Sequence, residues 1–327
     1  MSPLIALEEH FFAPPELLSP EISSLYAEQF KHLPGLLEKL QSLGDVRLQE
    51  MSRGGVSMQI VSHGPGLSAC SPDICHQVND YLSSKISSQQ KSFAGLAALP
   101  MLHPEAAAAE LKRCINELGF VGAMIDSHVN GKYYDGNEFR PVFHAAQELD
   151  VPLYLHPMFP TASQMESFQG NFLPGAARSM ATSGWSWHSN CGLHFLRLFA
   201  SGLFDEVPRL QIILGHFGEM LPFMLDRIQQ LSVRWGTFDR DFLTVWKENA
   251  WVTTSGVWSV DPMATTLRNT SWRRILFSVD FPFASSEDGS KFWKDFQDSG
   301  MVGQEELEGI AWRNSARLFK LKHELLE

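Results

Sequence analysis

The feature that most narrows the fold of this chain is an alternation of short apolar runs with longer segments of helical period. Eight runs rich in Val, Ile, Leu and Phe stand out: Leu4–Leu7, Val56–Val61, Phe93–Leu99, Val121–Ile125, Val151–Leu155, Leu210–Leu214, Ala250–Thr254 and Ile275–Val279. Between them the pattern predicts helices over Pro34–Met51, Pro72–Gln90, Pro104–Leu118, Glu138–Leu149, Cys191–Ala200, Gly218–Leu231 and Gln304–Lys320. In the third of these, Leu111, Cys114, Ile115 and Leu118 form an i, i+3, i+4, i+7 stripe behind a proline that suits a first helical position.

Strands that are apolar on both faces and alternate with helices belong to a parallel sheet covered on its outside. Eight is the number that closes such a sheet, so the expected fold is α/β, a (β/α)8 TIM barrel, with residues 1–327 forming a single domain. An open doubly wound sheet is the alternative, but no glycine-rich dinucleotide turn follows any run, and Gly54-Gly55 reads as a helix stop before a strand. One stretch breaks the rhythm. From Pro157 to His188 the chain is rich in Met, Phe, Gly, Ser and Trp without clear period, a long insert after strand five of the kind that forms a lid or binding loop.

The composition, 44% hydrophobic and 19% charged, is that of a globular protein, and a net charge of −11 argues against nucleic acid or an anionic membrane as partner. A small anionic substrate stays compatible, because a bound cation reverses the local field. No stretch is long and apolar enough to cross a bilayer, and Met1-Ser2-Pro3-Leu4 lacks the pattern of a targeting segment. Cys70, Cys75, Cys114 and Cys191 form no CxxC pair and read as free thiols, so a reducing cytoplasm is the expected location.

In this fold, chemistry sits at the C-terminal ends of the strands. Strand one ends Glu8-Glu9-His10, and a period of two puts Glu8 and His10 on one face with Glu9 on the other. Strand five ends at His156, strand six runs into Gly215-His216-Phe217-Gly218-Glu219, and strand eight ends at Asp280. Buried charges need partners, and carboxylates set among imidazoles suit a divalent ion such as zinc or manganese, with magnesium the alternative. His63 after strand two and His128 after strand four are further pocket candidates. His32, His76, His103, His144 and His323 do not share this placement and read as packed or solvated residues.

The motifs Ala6-Leu7-Glu8-Glu9-His10-Phe11, Leu153-Tyr154-Leu155-His156-Pro157, Ile213-Leu214-Gly215-His216-Phe217-Gly218-Glu219 and Phe277-Ser278-Val279-Asp280-Phe281-Pro282-Phe283 resemble those of the amidohydrolase superfamily. They are most similar to its non-oxidative hydroxybenzoate decarboxylases, acting on γ-resorcylate, 2,3-dihydroxybenzoate or salicylate, and the resemblance covers almost the whole chain. It implies a metal site of Glu8, His10, His156 and Asp280, and a catalytic His216 supported by Glu219. It also implies Phe283 as an aromatic wall and Arg227, eleven residues beyond His216, as an arginine reaching the neighbouring subunit's site. Hydrolases of the superfamily open strand one with a His-x-His pair and binuclear ones carry a lysine after strand four. Here Glu8 takes the first position, and Met124-Ile125-Asp126-Ser127 offers no lysine. Three departures bear on the substrate: Ser62-His63-Gly64-Pro65-Gly66, a histidine at His188 where glutamine or glutamate is usual, and Asp226 where tryptophan is common.

The expected reaction is loss of CO2 from an ortho-hydroxybenzoate-type aromatic acid, making the chain a carbon–carbon lyase in which Asp280 protonates the ring carbon. The rival is a metal-dependent hydrolase of a lactone, ester or amide on the same barrel, and a third reading is a catalytically silent binding barrel. Nine tryptophans and the apolar insert are more aromatic surface than one barrel core requires, so a homodimer or homotetramer is expected.

Overall fold

The computed structural model describes residues 3–321; His323 lies outside them. Eight parallel strands follow one another around the sheet in sequence order: β1 (Leu4–Phe11), β2 (Val56–His63), β3 (Phe93–Ala98), β4 (Gly122–Asp126), β5 (Leu153–His156), β6 (Ile212–Leu214), β7 (Ala250–Thr253) and β8 (Ile275–Leu276). The sheet closes through a parallel bridge between Leu7 and Ser278 and a 2.7 Å hydrogen bond from His10 N to Phe281 O. This is the (β/α)8 barrel that the alternation predicts.

Two apolar sets hold it together. Ile5, Leu7, Met58, Ile60, Leu96, Met124, Tyr154, Ile213, Trp251 and Leu276 fill the barrel interior. Alternate residues such as Leu4, Ala6, Val61, Ala97, Leu153 and Ile212 belong to the larger cluster shared with the surrounding helices. Each aliphatic side chain fully buried in this way stabilises the fold by roughly 1.5–3 kcal/mol. The helix Pro104–Asn116 buries Leu111 and Cys114 of the predicted stripe, and Ser71 caps Pro72–Ile86 by accepting from Ile74 N at 3.4 Å. All four cysteines are free and buried.

Three expectations need correction. The helix expected over Pro34–Met51 is two helices, Leu36–Gln41 and Asp45–Arg53, because the chain breaks at Ser42–Gly44. The aperiodic insert carries short helices at Ala162–Glu166 and Pro174–Ala181 before Ser186–Ala200 begins. The helix expected from Gly218 starts only at Leu225, since His216, Phe217, Gly218, Glu219 and Met220 all have positive φ. Left-handed backbone costs a non-glycine residue about 1 kcal/mol or more, so this turn must be held from outside. It is: Gly218 N and Glu219 N bond Gly215 O at 2.7 and 3.2 Å, and His216 N bonds Ser255 Oγ at 3.2 Å.

Candidate functional site

Strand alternation alone sends Glu8 to the wrong side of the barrel. Ile5 and Leu7 point inward, so an unbroken period of two would put Glu9 inside and Glu8 outside. A β-bulge corrects this: Leu7 pairs with Ile60 and Glu9 with Val61, leaving Glu8 as the extra residue with φ 65°. Glu8 and His10 then face inward together. Glu9 faces outward, where Gln59 Nε2 donates to its Oε2 at 2.9 Å and Val279 N to its Oε1 at 3.0 Å. The outward glutamate thereby ties strand one to the segment that delivers Asp280. Arg47, fully buried, supports the same seam by donating to His10 O and, at 3.3 Å, to Gln59 Oε1.

Above the bulge, Glu8, His10 and His156 present donor atoms that all lie within 4.8 Å of one another. Glu8 Oε1 is 3.2 Å from His156 Nε2, and Asp280 Oδ1 is 3.4 Å from His10 Nε2. Asp280 also has a left-handed backbone, φ 73°, which turns it back over the barrel mouth. Burial disfavours charge on Glu8, yet His216 and the neighbouring His156 outweigh it and hold this carboxyl well below the usual range. Burial pushes His10 down despite Asp280, whereas the neighbouring Glu8 carboxylate outweighs burial and raises His156.

These residues fit a divalent cation on two structural grounds. Glu8 Oε1 and His10 Nε2 are buried without a hydrogen-bond partner, which is costly unless something positive binds them. His156 Nδ1 faces Pro157 O at 2.7 Å, which places a proton on Nδ1 and leaves Nε2, turned towards Glu8 Oε1, as the nitrogen that can take a cation.

Beside this cluster, His216 Nδ1 is 2.9 Å from Glu219 Oε1 and 4.0 Å from Glu8 Oε1. Burial opposes charge on its ring, but the carboxylates of Glu8 and Glu219 push His216 up to about 10. Glu219, although buried, is lowered by His216 and by His188, whose Nδ1 lies 2.9 Å from Glu219 Oε2. Gly256 (φ 63°) lies between His216 and Asp280. A Cβ there would stand 2.8 Å from His216 Cδ2 and 3.5 Å from Asp280 Oδ2, so only glycine leaves this gap open.

The remaining sequence candidates divide. Phe283 is edge-on to His10 with ring centroids 5.6 Å apart, at the mouth of the cluster. His63 ends β2 beside Phe11 and Phe12, bonds Gly64 O through Nδ1 at 2.6 Å, and leaves Nε2 buried and unpaired. Burial pushes it down to about 4, so the ring is neutral. His128 accepts from Gly131 N at Nδ1 and likewise has an unpaired Nε2. Arg227 is not brought into this cluster. It lies exposed on the helix Leu225–Ser232, along a groove of about 710 Å³ that also includes Phe223, Met224 and Arg268.

Several site residues escape pattern reading. Tyr154 points into the barrel like any apolar strand residue, yet its hydroxyl donates to Glu8 Oε2 and contacts Thr253 Oγ1 at 3.2 Å. Asp126, at the end of β4, accepts from Gly66 N at 3.1 Å and Ser68 N at 3.3 Å, anchoring the loop after β2. Its place at a strand end was the available signal. His188 stands out in the sequence only as a histidine where the resembled family has glutamine or glutamate.

The Amidohydrolase family model matches residues 28–321. The chain is 45% identical over 98% of its length to the decarboxylase orsB of Emericella nidulans, covering 97% of that protein. It is 35% identical over 97% of its length to a γ-resorcylate decarboxylase of Rhizobium sp., covering 98% of it. A crystal structure of a dihydroxybenzoic acid decarboxylase from Polaromonas sp. JS666, with bound manganese and the inhibitor 2-nitroresorcinol, superposes with a TM-score of 0.87 at 32% identity, covering 100% of this chain and 99% of that one. With the barrel, the strand-end cluster and these full-length relatives in agreement, the chain belongs to the amidohydrolase family.

Proposed function

We propose that this chain is a metal-dependent non-oxidative decarboxylase of an ortho-hydroxybenzoate-type aromatic acid. The observation that carries the reading is the convergence of buried, unpartnered Glu8 Oε1 and His10 Nε2 with His156, next to the His216–Glu219 pair and the Phe283 ring. Full-length relatives named decarboxylases, one of them solved with manganese, support it.

Glu8, His10, His156 and Asp280 would hold a divalent ion, zinc or manganese with magnesium the alternative, whose charge offsets the negative charge gathered on the substrate's oxygens. The chain's own groups do the rest. Phe283 packs against the substrate ring and limits its orientation. His216, held through Nδ1 by Glu219 Oε1, turns its Nε2 towards the gap beside Asp280 and contacts a substrate oxygen there. Asp280, at the edge of the cluster, delivers a proton to the ring carbon as the bond to the carboxylate breaks and CO2 leaves. His63, neutral with a bare Nε2, accepts from a hydroxyl on the ring. Arg227 acts on the site of a neighbouring subunit in a homodimer or homotetramer. Its side chain is exposed and has no acidic partner among the described residues, and Phe223 beside it is 82% exposed.

The test is a panel of hydroxybenzoates assayed for CO2 release, run beside lactone and ester hydrolysis, with metal-loaded and metal-stripped protein. Release of CO2 from ortho-hydroxy acids alone, lost on stripping, is the expected result. Hydrolysis without CO2 release would establish the rival reaction instead.

A further inference from the structure

Glu219 is shared by two imidazoles, and the proposed reaction uses only one of them. Its Oε1 faces His216 Nδ1 and its Oε2 faces His188 Nδ1, both at 2.9 Å, while its own side chain is fully buried. The other nitrogen of His188, Nε2, is 3.0 Å from Ser183 O. Each end of the His188 ring thus points at an oxygen, and the ring spans from the insert backbone to the buried carboxylate. The two histidine rings also pack together, with centroids 4.4 Å apart.

This matters because Glu219 sits on a turn whose five left-handed residues would relax if released. A carboxylate bound on one oxygen alone can rotate about its last torsion. Bound on both oxygens by rings from different segments, it cannot, and His216 Nδ1 then has one direction in which to donate. That direction sets His216 Nε2 against the gap at Gly256, whose far side is Asp280 Oδ2.

We propose that His188 is a positioning residue for the reaction: by holding Glu219 Oε2 it fixes His216 with Nε2 turned towards the gap shared with Asp280. The inference rests on the reading that His216 acts in catalysis. His188 itself need not touch substrate. Because its Nε2 is held by Ser183 O from the helix-preceding part of the insert, it also ties the alignment of His216 to the ordering of that stretch.

The experiment compares His188→Ala and His188→Gln with the wild-type metal-loaded enzyme. Glutamine keeps an N–H donor for Glu219; alanine keeps none. The expected result is a kcat lowered roughly tenfold or more in His188→Ala, KM changed less than about threefold, and most of the kcat restored in His188→Gln. Metal content and melting temperature should stay at wild-type values in both. A kcat within twofold of wild type in His188→Ala overturns the proposal. So does a glutamine variant as impaired as the alanine one, or a loss that follows lost metal or lost fold. His216→Asn separates this from the parent reading: its full activity would sink the role of His216, whereas an inactive His216→Asn beside an unimpaired His188→Ala removes only His188.

Discussion

Tyr154 donates its phenolic hydrogen to Glu8 Oε2 from inside the barrel, leaving Glu8 Oε1 turned towards His156 and His10. One oxygen of the carboxylate is therefore spent on orientation and the other is available to a cation. Tyr154→Phe keeps the packing but removes the orienting bond. The expected outcome is a folded protein whose affinity for the divalent ion falls roughly 10–100-fold, read by competition with a chelator.

Asp280 is proposed both as a ligand of the divalent ion and as the proton donor, and these roles separate in Asp280→Asn. The amide retains an oxygen donor but cannot act as a carboxylic acid. Turnover should be abolished while much of the metal remains, as measured by elemental analysis beside single-turnover assays. A variant near the wild-type rate would remove Asp280 from the role of acid.

Gly256 keeps open the space between His216 and Asp280. Gly256→Ala meets a left-handed φ and a 2.8 Å approach to His216 Cδ2 at once. The backbone penalty is about 1 kcal/mol, small against the stability of a domain this size. The displacement of His216 is the larger effect, and kcat should fall roughly 10–100-fold. Circular dichroism and metal content should be unchanged.

Arg227 is proposed to act across a subunit boundary, which predicts complementation. Arg227→Ala and Asp280→Asn should each be inactive alone, with the metal cluster of Arg227→Ala intact. Mixed under conditions that exchange subunits, they should regain a fraction of activity, because one site then combines an intact Asp280 with a neighbour's Arg227. No recovery in mixed oligomers, shown by tag capture, counts against action in trans.

His194 predicts an acid limb of stability away from the site. It is fully buried, accepts from Tyr134 N at 3.0 Å, and is pushed by burial down to about 3. In the unfolded chain the ring takes up its proton near the ordinary 6.5, so the unfolded state binds the proton more tightly. Its contribution is complete above about pH 6.5 and is lost as pH falls towards 3. Between pH 6.5 and pH 5 the loss is on the order of 2 kcal/mol. His194→Asn, which still offers an acceptor to Tyr134, should flatten the slope of urea midpoint against pH in that window.

Strand number, strand order and the positions of the polar strand ends were all legible in the sequence, because all three follow from the pattern of apolar runs. His156 and Asp280 could be picked out as residues closing apolar runs, and so could Glu8 and His10. The left-handed run at His216–Met220 was not legible: Gly218 is its only glycine, and His216 and Glu219 are held there by Ser255 and Gly215, which no periodicity reports. Tyr154 and His188 were hidden for a similar reason, since their roles lie wholly in partners distant along the chain.

Strand one shows the division most sharply. Sequence by itself determined that Glu8 and His10 share a face and that Glu9 has the other, because alternation along a strand is a property of the backbone. Which face looks into the barrel was decided only by the tertiary structure. The bulge at Glu8 inserts one unpaired residue against β2, and Gln59 Nε2 and Val279 N, with Arg47 bonded behind Gln59, satisfy Glu9 on the outward side. Without that bulge the same three residues would point Glu9 into the barrel mouth and leave Glu8 and His10 among the helices.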